Sequence, residues 1–172
     1  AARIAREAGA LISFDVNYRA DLWSREEARS QVLDTIPLVD LLKVNELELE
    51  ILTGSAAPEG ASQELLALGP ELCVVTLGPE GSYFRVAGGG EAVAPFRVKT
   101  VDATGCGDAF VAGLLWQLIS RDDWREQLTV ARMRQVLRYA NAVGALTSMT
   151  LGVIPALPTA EQVKEFLGQV DG

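Results

Sequence analysis

The sequence predicts an α/β fold, a mostly parallel sheet flanked by helices with an antiparallel hairpin at one edge. Three observations lead there. Short apolar runs at 10–16 (ALISFDV), 39–44 and 72–77 (LCVVTL) have the length and β-rich composition of buried strands. Helical segments separate them, which is the alternation of a parallel sheet. Two further runs flank Gly88-Gly89-Gly90 in the manner of a hairpin. In such a sheet the chemistry belongs to loops at the C-terminal ends of the strands.

The elements follow in order. Residues 1–8 read as a helix closed by Gly9; this opening inside a helix, without an initiator Met, suggests a piece of a longer protein. After the strand at 10–16 and a loop at 17–23, Ser24 and Glu27 form a capping-box signature for a helix to about Ile36. The strand at 39–44 leads into a short helix at 46–53 that Gly54 can end in a left-handed conformation. A loop at 55–60 precedes a helix at 61–68 and the strand at 72–77. The turn Gly78-Pro79-Glu80-Gly81 then opens the hairpin, with strands at 82–87 and 92–98, and Pro95 marks the second strand as an edge. Helices at 109–119, 133–149 and 160–170 complete the chain. No internal repeat, low-complexity tract or linker interrupts it, so residues 1–172 read as one domain or most of one.

Composition excludes several chemistries. With no His among 172 residues there is no Ser-His-Asp triad, no Cys-His pair and no His-ligated zinc. A formal net charge of −8 argues against a nucleic-acid partner, which needs clustered positive charge. Cys73 and Cys106 form no CxxC pair, which suits a reducing, cytoplasmic setting. A long uncharged stretch lies between Arg138 and Glu161. Its Asn141, Gly152, Pro155 and Pro158 argue against a membrane span and for a helix running into a buried loop.

The sharpest segment is TVDATGCGDAFVAG, residues 100–113. Gly105, Cys106 and Gly107 place small residues just before a helix, where consecutive backbone N–H groups can form an anion-binding nest. A carboxylate at the mouth of that nest, Asp108, makes sense as a base beside a phosphoryl group in transfer. The alternative is that Asp108 only caps the helix, since Asp is a favoured N-cap residue. A dinucleotide fingerprint fails, because Phe110 stands where its third glycine belongs, and a Walker A loop lacks its Gly-Lys-Ser/Thr.

This segment resembles the C-terminal signature of the ribokinase-like (PfkB) family of sugar kinases. Four further segments match in family order: DVNYRADLW (15–23), KVNELELEILTG (43–54), VTLGPEGSYF (75–84) and ANAVGALTSMTLGVIPALP (140–158). The resemblance covers essentially the whole chain. It implies a three-layer α/β/α sandwich, here without the family's N-terminal half and lid, so the chain alone is expected to turn over little sugar.

What the resemblance implies runs residue by residue. Asp108 corresponds to the catalytic base, and Gly105, Cys106 and Gly107 to the anion hole, with Cys106 where Ala is usual. Asn45 and Glu48 match an N-x-x-E motif that handles phosphate and hydrated Mg²⁺, Glu48 through a water. Thr76, Gly78 and Gly81 match the loop that contacts ATP. Asn141 matches an adenine-pocket position, its structural alternative being an amide that bonds a loop. Asp102 and Thr104, with carbonyls from 147–152, resemble a monovalent-cation (K⁺) site, although Thr150 stands where ribokinase itself has an arginine. Arg19, with Asn17 and Trp23, resembles the fructokinase and 2-keto-3-deoxygluconate kinase branch; it meets substrate or phosphate, or else pairs with a nearby carboxylate while Trp23 fills core.

The expected function is ATP-dependent phosphorylation of a sugar hydroxyl, fructose first and 2-keto-3-deoxygluconate second. The competing readings are a truncated homologue that binds nucleotide without turnover and, from another class, a dinucleotide-dependent oxidoreductase. Expected partners are ATP and a small sugar, with neither nucleic acid nor membrane, and a homodimer for the full-length protein.

Overall fold

The computed structural model describes residues 1–120 and 123–170, and the strand–helix alternation read from the sequence is present in it. The chain groups into two units: Ala1–Gly78 with Tyr83–Ala92, and Pro79–Ser82 with the chain from Val93 onward.

The first unit begins with α1 (Ala2–Glu7) and β1 (Ser13–Asp15). The strand is shorter than the apolar run at 10–16, because only three residues find partners on β2 (Leu41–Asn45), with Asp15 opposite Lys43. Helix α2 (Arg25–Thr35) starts with the complete capping box: Ser24 Oγ accepts the Glu27 amide while Glu27 returns a carboxylate oxygen to the Ser24 amide. Helix α3 (Glu46–Thr53) ends at Gly54 in the left-handed conformation, as its sequence predicts. Helix α4 (Pro58–Leu66) starts three residues before the predicted 61, since Pro58 at the first helical position is already set for helix and has no N–H to lose.

Strand β3 (Leu72–Thr76) pairs parallel to β2, which pairs parallel to β1. With β4 (Ser82–Val86) and β5 (Gly89–Val93) they form an open mixed sheet in the order β1-β2-β3-β4-β5. The two residues between β4 and β5 can join neighbouring strands only in an antiparallel hairpin. This hairpin differs from the predicted one, because its second strand starts within the glycine run and ends before Pro95. Gly90 is the reason. A Cβ there would lie 2.5 Å from the Tyr83 hydroxyl oxygen and 2.6 Å from the Phe84 carbonyl oxygen, so glycine alone allows the strands to close.

The core of this unit follows from strand periodicity. Leu42, Val44, Cys73 and Val75 fall on one face and pack with Ile36, Leu49, Leu52 and Leu65. Truncating Leu49 or Leu65, both nearly fully buried, would cost about 2–5 kcal/mol.

The second unit is helical. Helix α5 (Cys106–Ile119) starts at Cys106 rather than 109, because Gly105 turns left-handed as its N-cap. Helix α6 (Val130–Ser148) starts at 130 rather than 133, since Thr129 Oγ1 accepts the Arg132 amide. The two pack closely at Gly113, where a Cβ would lie 2.9 Å from Val143 Cγ2. Helix α7 (Ala160–Val170) adds Val163 to a cluster with Ala109, Ala142 and Val143. Phe166 meets Phe96 in a tilted ring contact, with centroids 5.1 Å apart and planes at 57°. The segment after α6 is not the buried loop its composition predicts, since Leu151 is 75% and Ile154 81% exposed. Its irregular backbone runs where water can satisfy it. Among the described residues, no helix is long and apolar enough to cross a membrane.

Candidate functional site

The expected residues lie in both units, and each set is built by its own local geometry. In the first unit they gather at the C-terminal ends of β1, β2 and β3. Parallel register puts Asn45 beside Thr76, and Thr76 Oγ1 donates to the Val44 carbonyl at 3.4 Å. Asn45 is the N-cap of α3: its Oδ1 accepts the Glu48 amide at 2.9 Å, and Glu48 Oε2 accepts the Asn45 amide at 2.7 Å. Glu48 Oε1 accepts the Tyr18 amide at 2.8 Å, which ties the 16–23 loop to the same point.

Arg19 is exposed on that loop and donates only to the Tyr18 carbonyl, at 3.0 Å. The carboxylate partner of the structural alternative is absent among the described residues, and Trp23 is 45% exposed rather than core. Sequence reading missed Lys43, whose Nζ lies 3.1 Å from Asp15 Oδ1 in a largely buried pair. Opposite charges at facing positions of two apolar strands were its signal.

The second unit holds the glycine segment. Gly105 has φ +78°, and a Cβ on it would lie 2.5 Å from Val153 Cγ1. This left-handed turn starts α5 at once, so Asp108 is the third helical residue rather than the N-cap, and its side chain makes no capping bond. Asp108 is exposed. The Cys106 amide donates to the Ala103 carbonyl at 3.2 Å. Those of Gly107 and Asp108 have no partner among the described residues and lie in the first turn, where helix N–H groups point outward. The free donors of the nest are therefore the amides of Gly107 and Asp108. Asp108 presents both a donor and a carboxylate.

Asp102 braces this turn. Its Oδ1 accepts the Thr104 amide at 2.9 Å and its Oδ2 the Gly152 amide at 3.2 Å. The Thr104 hydroxyl and amide, with the Gly152 amide, hold the Asp102 carboxyl below the ordinary carboxylate range. The Ser148 carbonyl is taken by the amides of Val101 and Asp102. Burial, with the Asp102 charge, pushes the Cys106 thiol up, away from a reactive thiolate.

The expected nucleotide residues of this unit meet around 93–95. A Cβ on Gly81 would strike the Val93 carbonyl oxygen, and Asn141 Nδ2 donates to the carbonyls of Val93 (3.3 Å) and Ala94 (3.1 Å). Asn141 thus has the partners of its structural alternative. An open groove of about 400 Å³ in this unit has a mixed lining, with Leu146, Leu157 and Phe166 beside Thr150, Gln162 and Glu165.

The expected Mg²⁺ position at Glu48 forms no resident site. No three Cys, Asp or Glu side chains gather to hold an ion among the described residues. Glu48 and Asp102 each have both oxygens engaged by N–H groups. Glu48, buried as well as doubly engaged, does not fit a resident Mg²⁺.

Comparison with known proteins supplies the wider frame. A profile for “pfkB family carbohydrate kinase” matches residues 1–160. “Fructokinase-2” of Solanum lycopersicum is 41% identical over 169 residues, 97% of this chain and 51% of that protein. A crystal structure of fructokinase from Vibrio cholerae O395, with fructose, ADP and calcium ion bound, superimposes with a TM-score of 0.87 at 35% identity. It matches over 96% of this chain and 53% of that one. The fructokinase of Xylella fastidiosa with bound ATP gives a TM-score of 0.89 at 30% identity, over 99% of this chain and 56% of that one. The chain spans about half the length of the curated relatives it matches.

Proposed function

The chain belongs to the pfkB family of carbohydrate kinases, and from that premise we propose that it carries the nucleotide-binding and catalytic part of an ATP-dependent fructokinase. The observation that carries this reading is the start of α5, where the unpartnered amides of Gly107 and Asp108 and the exposed Asp108 carboxylate share one helical turn.

In the proposed reaction a sugar hydroxyl attacks the γ-phosphorus of ATP. The oxygen–phosphorus bond to the sugar forms as the bond to ADP breaks, and Asp108 accepts the hydroxyl proton. The two free N–H groups, at the positive end of α5, stabilise charge on the transferring phosphoryl oxygens. Thr76 offers a hydroxyl and Gly78 an open backbone to the nucleotide, while Gly81 allows the close turn against residues 93–95. Arg19 contacts the acceptor or its phosphate. Mg²⁺ bound to the nucleotide phosphates would neutralise their charge without a ligand from this chain.

The fructokinase names among the relatives favour fructose over 2-keto-3-deoxygluconate. The second reading is a homologue that binds nucleotide without turnover. The test is Asp108→Asn, assayed with ATP and a sugar panel in the enzyme that includes the coding sequence upstream. Loss of the base lowers kcat roughly 10²–10⁴-fold with nucleotide affinity nearly unchanged. Unchanged kcat in a normally folded variant would remove the assignment. Absence of sugar turnover in the unmodified protein would leave the nucleotide-binding reading.

A further inference from the structure

We propose that Glu48 is a positioning residue, which pins the 16–23 loop to the start of α3 and takes no metal ion. The inference rests on the kinase reading only for what the loop presents, namely Arg19.

The Glu48 side chain is 1% exposed and each of its oxygens accepts a backbone N–H, that of Tyr18 at 2.8 Å and that of Asn45 at 2.7 Å. An ordinary capping box needs only the second of these. The first reaches 30 residues back along the chain. At its far end stands Asn17, with φ +49° the one non-glycine residue of positive φ among the described residues. Asparagine tolerates this left-handed conformation but does not prefer it. A left-handed residue followed directly by an amide fixed on a buried carboxylate is a turn held from outside.

Beyond that turn the loop closes on itself. The Arg19 carbonyl accepts the amides of Leu22 (3.0 Å) and Trp23 (3.2 Å), and the Tyr18 hydroxyl donates to the Trp23 carbonyl at 3.1 Å. Besides Glu48, the Val16 amide ties the loop's first residue to the Lys43 carbonyl at 3.2 Å. The Glu48 bond therefore sets where Arg19 stands. A hydrated cation would need a carboxylate oxygen that faces water. Glu48 offers none.

The test uses the isotope-labelled chain without nucleotide or sugar. In the wild type, a scalar coupling across the hydrogen bond should link the Tyr18 amide nitrogen to the Glu48 carboxyl carbon, and millimolar MgCl2 should leave it unchanged. This measurement stands even if the variant fails to fold. Glu48→Gln keeps one acceptor oxygen of two. It should speed exchange of the Tyr18 amide about tenfold or more, with β2 and β3 amides unaffected. In the enzyme with its upstream sequence, Glu48→Gln and Arg19→Ala should raise the sugar KM by similar factors, with the double variant no worse than either. Absence of the coupling, its loss on adding MgCl2, unchanged Tyr18 exchange, or additive KM effects would each overturn the proposal. An enzyme without sugar turnover would instead refute the kinase reading, leaving the coupling and exchange results to decide the role of Glu48.

Discussion

Gly105→Ala isolates what holds the nest open. An alanine at φ +78° carries the left-handed penalty of about 1–2 kcal/mol. Its Cβ would also lie 2.5 Å from Val153 Cγ1, well inside the roughly 3.5–4.0 Å at which carbons attract. Overpacking costs about 1–3 kcal/mol, and the lower half applies because Val153 is 38% exposed and can yield. The sum is about 2–4 kcal/mol. In a Val153→Ala background Cγ1 is gone and the nearest remaining atom, Val153 Cβ, lies at 3.4 Å, so only the backbone penalty of about 1–2 kcal/mol remains. Native-state hydrogen exchange of α5 amides in the two single variants and the double variant measures the difference. The expected coupling is about 1 kcal/mol or more. Additivity within about 0.5 kcal/mol would refute the claim that Val153 and Gly105 share one contact.

Asp102 has a folded pKa held below its ordinary 3.8, so the stability it contributes is present above that value and is lost as pH falls through the lower, folded pKa. Protection of the Gly152 amide, relative to its intrinsic exchange rate, should fall in that acid range, and Asp102→Asn should abolish the acid step while loosening the amide at neutral pH. The two thiols should differ in alkylation. Buried Cys73, pushed up to about 12 by burial, should stay unlabelled in the folded chain, while partly exposed Cys106 reacts slowly, faster above pH 9, and is protected by ADP. Mass spectrometry after timed alkylation reads both; labelling of Cys73 at the same rate would contradict the burial.

Local chemistry was legible in the sequence. Ser24 and Glu27, Asn45 before an acidic first turn, and Gly54 after the last apolar residue each act within one helical turn, so neighbouring residues contain the whole cause. The alternation of apolar runs with helices likewise implied a parallel sheet, since strands buried on both faces have no polar alternation to display. The glycine segment likewise announced a turn that leaves amides unpartnered at the start of α5, for the same local reason.

Tertiary structure decided what depends on residues far apart in the chain. Strand β1 is only three residues long because its pairing is set by β2. The hairpin turns earlier than its composition suggests because Gly90 must pass close to Tyr83 and Phe84. Residue 105 must be glycine not only for its left-handed turn but because Val153, distant in sequence, lies where a Cβ would stand. Asp102 reaches Gly152 and Glu48 reaches Tyr18 over hydrogen bonds that no spacing rule encodes. Sequence determined which chemical groups were available and which local turns they favour. Only the folded chain determined which carboxylate oxygens and amides were consumed by one another and which remained free, because a hydrogen bond is spent on whatever partner the packing brings within reach.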